Sequence, residues 1–219
     1  MNSLTAACFL VASSAVAATV LSPSDTIFGV ALNGGQIELG VEGFAPNVNN
    51  WPGGEPPADA INGLIGGGGE KYLNFFKLNT GVVVTPQAGL SLANGIILYT
   101  ANDGAERDPA SFSIWGTNVV NSLNIADYTP IVQNMPILQN DPGRNSSAGM
   151  SFNSGLVSFP NAVPYSTYLI IFPTVRDAST ANSMQVSEIQ LEGTVVPEPT
   201  TGLLFLGGLA AAGLRRRRG

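Results

Sequence analysis

Histidine is absent from all 219 residues. Its absence removes the commonest general base, the commonest metal ligand and the usual charge switch near neutral pH. Cysteine occurs once, at Cys8, inside an apolar N-terminal stretch. A domain that starts after that stretch has no thiol and no disulfide, which excludes thiol catalysis and a thiolate zinc site. Charge is scarce, at 11% of residues, and positive charge is scarcer. Four of the nine basic residues form the run Arg215, Arg216, Arg217 and Arg218, so residues 19–196 hold five basic against fourteen acidic residues. Such a surface repels nucleic-acid phosphates and anionic lipid, which excludes nucleic acid as a partner and suits divalent cations or neutral ligands. Helical periodicity is missing too, since no stretch of a dozen residues repeats its apolar positions every three to four.

Both ends of the chain read as addresses. Residues 4–17 are small or apolar and close on Ala15-Val16-Ala17, the small-x-small pattern that a signal peptidase cleaves. Cleavage falls near Ala17 or Ala18, although no Lys or Arg precedes the apolar run; the competing reading is a first buried element of the domain. At the other end, Val196-Pro197-Glu198-Pro199 forms a rigid break, because each proline fixes φ and lacks a donor. Gly202–Leu214 then runs without a charge up to the four arginines. As a helix, residues 200–214 reach about 22 Å, short of a ~30 Å hydrocarbon core unless arginines snorkel or the bilayer thins. The arginines stay cytoplasmic by the positive-inside bias, which leaves the domain on the far side of the inner membrane. The expected organisation is a signal peptide at 1–18, one domain at 19–195 and a sorting and anchor segment at 196–219.

The middle predicts short β-strands over 26–32, 36–41, 72–78, 81–85, 95–100, 111–116, 150–159, 167–172 and 185–193. They are rich in Val, Ile, Phe, Tyr and Thr and separated by Gly, Pro, Asn and Asp. Residues 63–70, with glycines at 66–69, read as a mobile loop. The alternation in Val186-Ser187-Glu188-Ile189-Gln190-Leu191 changes parity near Ser187-Glu188, which predicts a bulge. The fold class expected is all-β, an antiparallel jelly-roll β-sandwich, flanked by an N-terminal signal helix and a short C-terminal hydrophobic helix.

The tail, with Pro197-Glu198-Pro199, an apolar run containing Gly207 and Gly208, and a basic cluster, resembles the PEP-CTERM sorting signal. The resemblance implies an exosortase as partner alongside signal peptidase and a transient stay in the inner membrane. It further implies cleavage near Val196, Pro197, Glu198 and Pro199, and a final place on the surface or in the extracellular matrix of a Gram-negative bacterium that makes extracellular polysaccharide. A plain C-terminal membrane anchor is the other reading of the same residues.

A second resemblance rests on three pieces. They are Ala58-Asp59-Ala60-Ile61-Asn62-Gly63 with Glu70–Phe75; Tyr99-Thr100-Ala101-Asn102-Asp103-Gly104-Ala105-Glu106-Arg107-Asp108-Pro109-Ala110-Ser111-Phe112 leading to Ile114-Trp115-Gly116-Thr117-Asn118; and Val186–Leu191. In that order they resemble a discoidin-like, galactose-binding-like domain related to carbohydrate-binding modules. The resemblance implies a structural calcium ion at Asp59, Asn62 and Glu188, with Asn62 where the family usually has Asp, so one ligand charge is lost. It implies a ligand surface as well. Arg107 can fork onto hydroxyls or a carboxylate with Asp103 or Asp108 accepting, or it can tie its own loop to the next strand. Trp51, in Asn49-Asn50-Trp51-Pro52-Gly53, is either a stacking face for a sugar or a cap on the core. Fourteen acids guarantee chance pairs, and no spacing marks the two carboxylates a glycosidase needs. The reading is therefore a non-catalytic module that contacts extracellular polysaccharide, or else a structural surface or biofilm component with no specific ligand; a glycan-active enzyme comes last.

Overall fold

The computed structural model describes residues 18–65, 70–137 and 154–196. The expected signal helix, the C-terminal helix with Pro197, Glu198, Pro199 and Arg215–Arg218, and the glycines at 66–69 lie outside the described residues. Among the described residues no helix is long and apolar enough to cross a membrane. Two antiparallel sheets face each other. One has the order β10 (Thr129–Pro136), β9 (Pro109–Thr117), β12 (Thr167–Val175), β7 (Thr80–Thr85), β2 (Thr26–Asn33), β3 (Gln36–Leu39). The other runs β1 (Ala18–Thr19), β14 (Glu188–Val195), β8 (Ser91–Tyr99), β11 (Val157–Ser158). Two small pairs complete the fold: β6 (Tyr72–Asn74) with β13 (Met184–Val186), and the parallel β4 (Val41–Glu42) with β5 (Asn50–Trp51). Three short 3₁₀ turns stand at Pro57–Ile61, Ala105–Arg107 and Ile125–Asp127.

The central strand β12 shows why the sequence folds this way. Its run Tyr168-Leu169-Ile170-Ile171-Phe172 is buried throughout, because both faces of a central strand are covered. Tyr168, Ile170 and Phe172 enter the main core with Ile96, Leu98, Ile189 and Leu191 of the facing sheet. Leu169 and Ile171 join Val30, Val83 and Tyr128 in a second cluster on the outer face, on which Trp115 packs. The Tyr168 hydroxyl bonds Ser91 and receives the Ala93 N–H (3.3 Å), so the buried phenol is satisfied.

Three expectations change. The parity shift at Ser187 is a change of sheet and not a bulge: Val186 pairs with Tyr72 in one pair, Glu188 with Tyr99 in another. Ser187 is the hinge, its N–H on the Tyr99 carbonyl (2.8 Å) and its hydroxyl on the Glu70 carbonyl (3.0 Å). The strand expected over 72–78 stops at Asn74, whose side chain takes the Phe76 N–H (2.9 Å) before Lys77 turns at φ 72°. Strand β10 escaped the sequence reading because Pro130 and Pro136 interrupt it; it lies at a sheet edge, where missing donors are tolerated.

The register divides the sandwich into two ends. Thr117, Thr167, Thr85 and Thr26 stand together at one end, where Ser91 pairs with Val195. The last described residue, Val196, donates its N–H to the Leu90 carbonyl there (2.8 Å); this is the tail end. Pro109, Val175, Thr80, Tyr99 and Glu188 mark the opposite, loop end. The seven residue steps of β14 span about 23 Å between them.

Candidate functional site

The loop end gathers most of the charge. Lys71, just before β6, is 2% exposed. Its ammonium donates to Asp103 Oδ1 at 2.7 Å and to Gln185 Oε1 at 3.3 Å, with Glu55 Oε1 at 3.5 Å and Asn102 Oδ1 at 3.4 Å. Gln185 in turn gives its amide N–H to the carbonyls of Asp103 and Gly104. Lysine and glutamine together pin the 102–104 turn. Burial pushes the Asp103 carboxyl up, but Lys71, then Arg107, outweigh it and hold it below its ordinary value. Sequence reasoning missed Lys71 and Gln185. The available signal was a lysine, one of two in an acid-rich domain, placed directly before a strand.

Arg107 folds back over its own turn. A side chain at Gly104 would meet its Nε at 2.8 Å, and its guanidinium stands 3.6 Å from Glu106 and 3.9 Å from Asp103. This is the loop-tying alternative, with Asp103 held by Lys71 through Oδ1. Asp108 is 1% exposed and its carbonyl takes the Arg176 N–H (2.8 Å). It lies beneath the loop, a place that does not fit the ligand role expected of it.

Trp51 is half-buried. Its ring stands edge-on to Tyr72 (6.2 Å between centroids) and fills the space over Gly29 and Gly40, where a Cβ would meet Cζ3 at 2.7 and 2.5 Å. The structure thus places Trp51 as a cap on the core. Among the described residues the exposed aromatic is Phe44, which sequence reasoning did not single out. It is 82% exposed and braced edge-on against Phe75 (5.0 Å, 65°). Its loop is held at both shoulders, by Gly43 N–H on the Trp51 carbonyl (2.8 Å) and Asn47 N–H on the Phe75 carbonyl (3.2 Å). The Asn50 amide spans the loop from inside, donating to the carbonyls of Ala45 and Val48 and accepting from the Ala45 N–H. Lys77, two residues beyond Phe75, reaches the Ala178 carbonyl (2.9 Å), which joins this corner to the loop after β12.

Asp59, Asn62 and Glu188 meet at the same end. Glu188 is 5% exposed and accepts the Gly63 N–H at 3.2 Å. Burial raises its carboxyl from an ordinary 4.5 to about 7, against the lowering effect of that bond. Asp59 is raised by burial in spite of a bond from Asn62 (3.4 Å), with Glu55 and Glu70 adding repulsion. Asn62 uses its amide oxygen on the Leu64 N–H (2.7 Å). Among the described residues no three His, Cys, Asp or Glu side chains stand close enough to hold a metal ion by themselves. A cation at this corner would therefore need backbone oxygens as well as the two carboxylates.

The fold is that of galactose-binding-like, discoidin-like domains. The family 32 carbohydrate-binding module of Clostridium perfringens NanJ, solved with galactose, is similar at a TM-score of 0.51 and 12% identity, covering 81% of this chain and 99% of that one. The lectin-binding domain of lectinolysin, solved with Lewis b, gives 0.51 and 12%, covering 83% and 99%. The family 32 module of Streptococcus pneumoniae EndoD gives 0.50 and 7%, covering 80% and 98%. No curated protein matches the chain. Residues 195–218 match the PEP-CTERM protein-sorting motif. The chain thus carries a discoidin-like β-sandwich ahead of a PEP-CTERM tail, and that tail implies exosortase-dependent export.

Proposed function

We propose that this chain is a non-catalytic glycan-binding module, cut from its leader by signal peptidase, sorted by exosortase to the cell surface or matrix of a Gram-negative bacterium, and contacting extracellular polysaccharide through its loop end. The observation that carries this reading is Phe44. A phenyl ring costs free energy when left in water, and here a hydrogen-bonded loop holds it out on the end farthest from the tail. An exposed ring presents an apolar face on which the C–H face of a sugar can stack, and the acidic domain charge favours neutral ligands. Ala18 pairs with Gly193 in β1, so cleavage after Ala17 preserves that strand.

In this reading the corner of Asp59, Asn62 and Glu188 holds calcium. The donors are all oxygen, and two of the carboxyls are raised by burial, the state that a hard cation relieves. The ion would tie the 61–65 turn to the start of β14 and take no part in chemistry.

The test is retention of the purified protein on affinity gels cast with extracellular polysaccharides. Phe44→Ala is expected to lose retention at least tenfold with an unchanged melting temperature, and Trp51→Ala to melt earlier. Equal retention of wild type and Phe44→Ala would overturn the site. No retention of wild type on any polysaccharide would leave a structural surface component without a ligand.

A further inference from the structure

We infer that, until the tail is cut, the tail end of the sandwich rests on the bilayer through a patch of exposed valines, so that the loop end points away from the membrane. This rests on reading the tail as a membrane-inserted sorting segment. Val119, Val120, Val163 and Val195 are all about half exposed or more, Val120 at 61%. Their segments meet at the tail end: the Ser166 N–H bonds Asn118 Oδ1 (3.0 Å), the Ser91 N–H bonds the Tyr165 carbonyl (2.9 Å), and Ser91 pairs with Val195. Four exposed valines at one end give that end an apolar surface of the sort contact sites use.

The occupant follows from where the chain goes next. Val196 is held on this same end by Leu90, and Leu203, the first large apolar residue of the tail, follows seven residues later. Fully extended, that link reaches about 25 Å. A tail in the bilayer therefore holds the valine patch within that distance, and tethering raises its effective concentration at the lipid. The contact is apolar and not ionic. Among the described residues the basic side chains are Lys71, Lys77, Arg107 and Arg176, all on loop-end segments. Two acids at the tail end are hydrogen-bonded, Asp25 by Ser22 and Gln87, Asp127 by Ser122. Contact should thus survive salt and need no anionic lipid.

The lack of any cysteine beyond Cys8 makes the test clean. The full chain with Cys8→Ser would carry either Val120→Cys or Phe44→Cys, labelled with an environment-sensitive fluorophore and reconstituted into phosphatidylcholine vesicles. Flotation, emission and quenching by brominated lipid would be read at low and high salt. The expected result is a blue-shifted, lipid-quenched label at 120, unchanged by salt, and a water-like label at 44. Flotation with a water-like label at 120 would overturn this inference and leave the tail reading standing. A blue shift that grows with protein concentration without lipid quenching would assign the patch to a second copy of the chain and overturn it as well. Failure to float would sink the tail reading and this inference together.

Discussion

Glu188→Gln tests the proposed calcium corner apart from ordinary surface acidity. The Glu188 carboxyl is raised from 4.5 to about 7 by burial. Between those values the folded state binds the proton that the unfolded chain releases, so stability is full below about pH 4.5 and falls as pH rises toward 7. With solvent screening allowed for, that displacement corresponds to about 1–3 kcal/mol. Asp103, held below its ordinary value by Lys71 in spite of burial, acts in the opposite sense, its stabilisation being lost as pH falls through its folded value; it is present in both proteins and cancels in their difference. In chelator, urea unfolding from pH 4 to 8 should therefore show wild type losing about 1–3 kcal/mol relative to Glu188→Gln. Added calcium should restore wild type at pH 8, where the carboxylate is ionised, and leave Glu188→Gln unmoved. Parallel stability curves in chelator would refute the buried-carboxylate reasoning, and an equal response of both proteins to calcium would refute the site.

Lys71→Met removes a buried ammonium and frees the 102–104 turn. Because Asp103 is half exposed, the loss should lie below that of a fully buried pair, at about 1–3 kcal/mol by urea unfolding, with faster proteolysis in residues 101–108. Gly40→Ala drives a Cβ into the Trp51 ring and should cost about 1–3 kcal/mol, measured the same way.

The fold was largely legible because β-branched and aromatic runs between turn residues mark strands whichever sheet they join. Which sheet was not legible: Val186 and Ile189 look like one strand with a slip, and only the long-range partners Tyr72 and Tyr99 divide them. Asp59, Asn62 and Glu188 were expected together from resemblance; in the structure Asn62 bonds Asp59, and Glu188 takes the N–H of Gly63, the next residue. Phe44 went unread, and Trp51 was left between a sugar-stacking face and a cap on the core. Both lie in polar, proline- and glycine-containing stretches, and Trp51 is half-buried only because Gly29 and Gly40 leave room for its ring. Lys71 went unread because a buried cation is visible only once Glu55, Asp103 and Gln185 converge on it.

Delivery by the tail is tested most directly by intact-protein mass spectrometry of the mature chain, purified from the surface or medium of a producing strain and of the same strain without its exosortase. The account predicts a C-terminus near Val196–Pro199 in the first strain, and a chain still ending in the four arginines, confined to the membrane fraction, in the second. An identical uncut tail in both strains would contradict it.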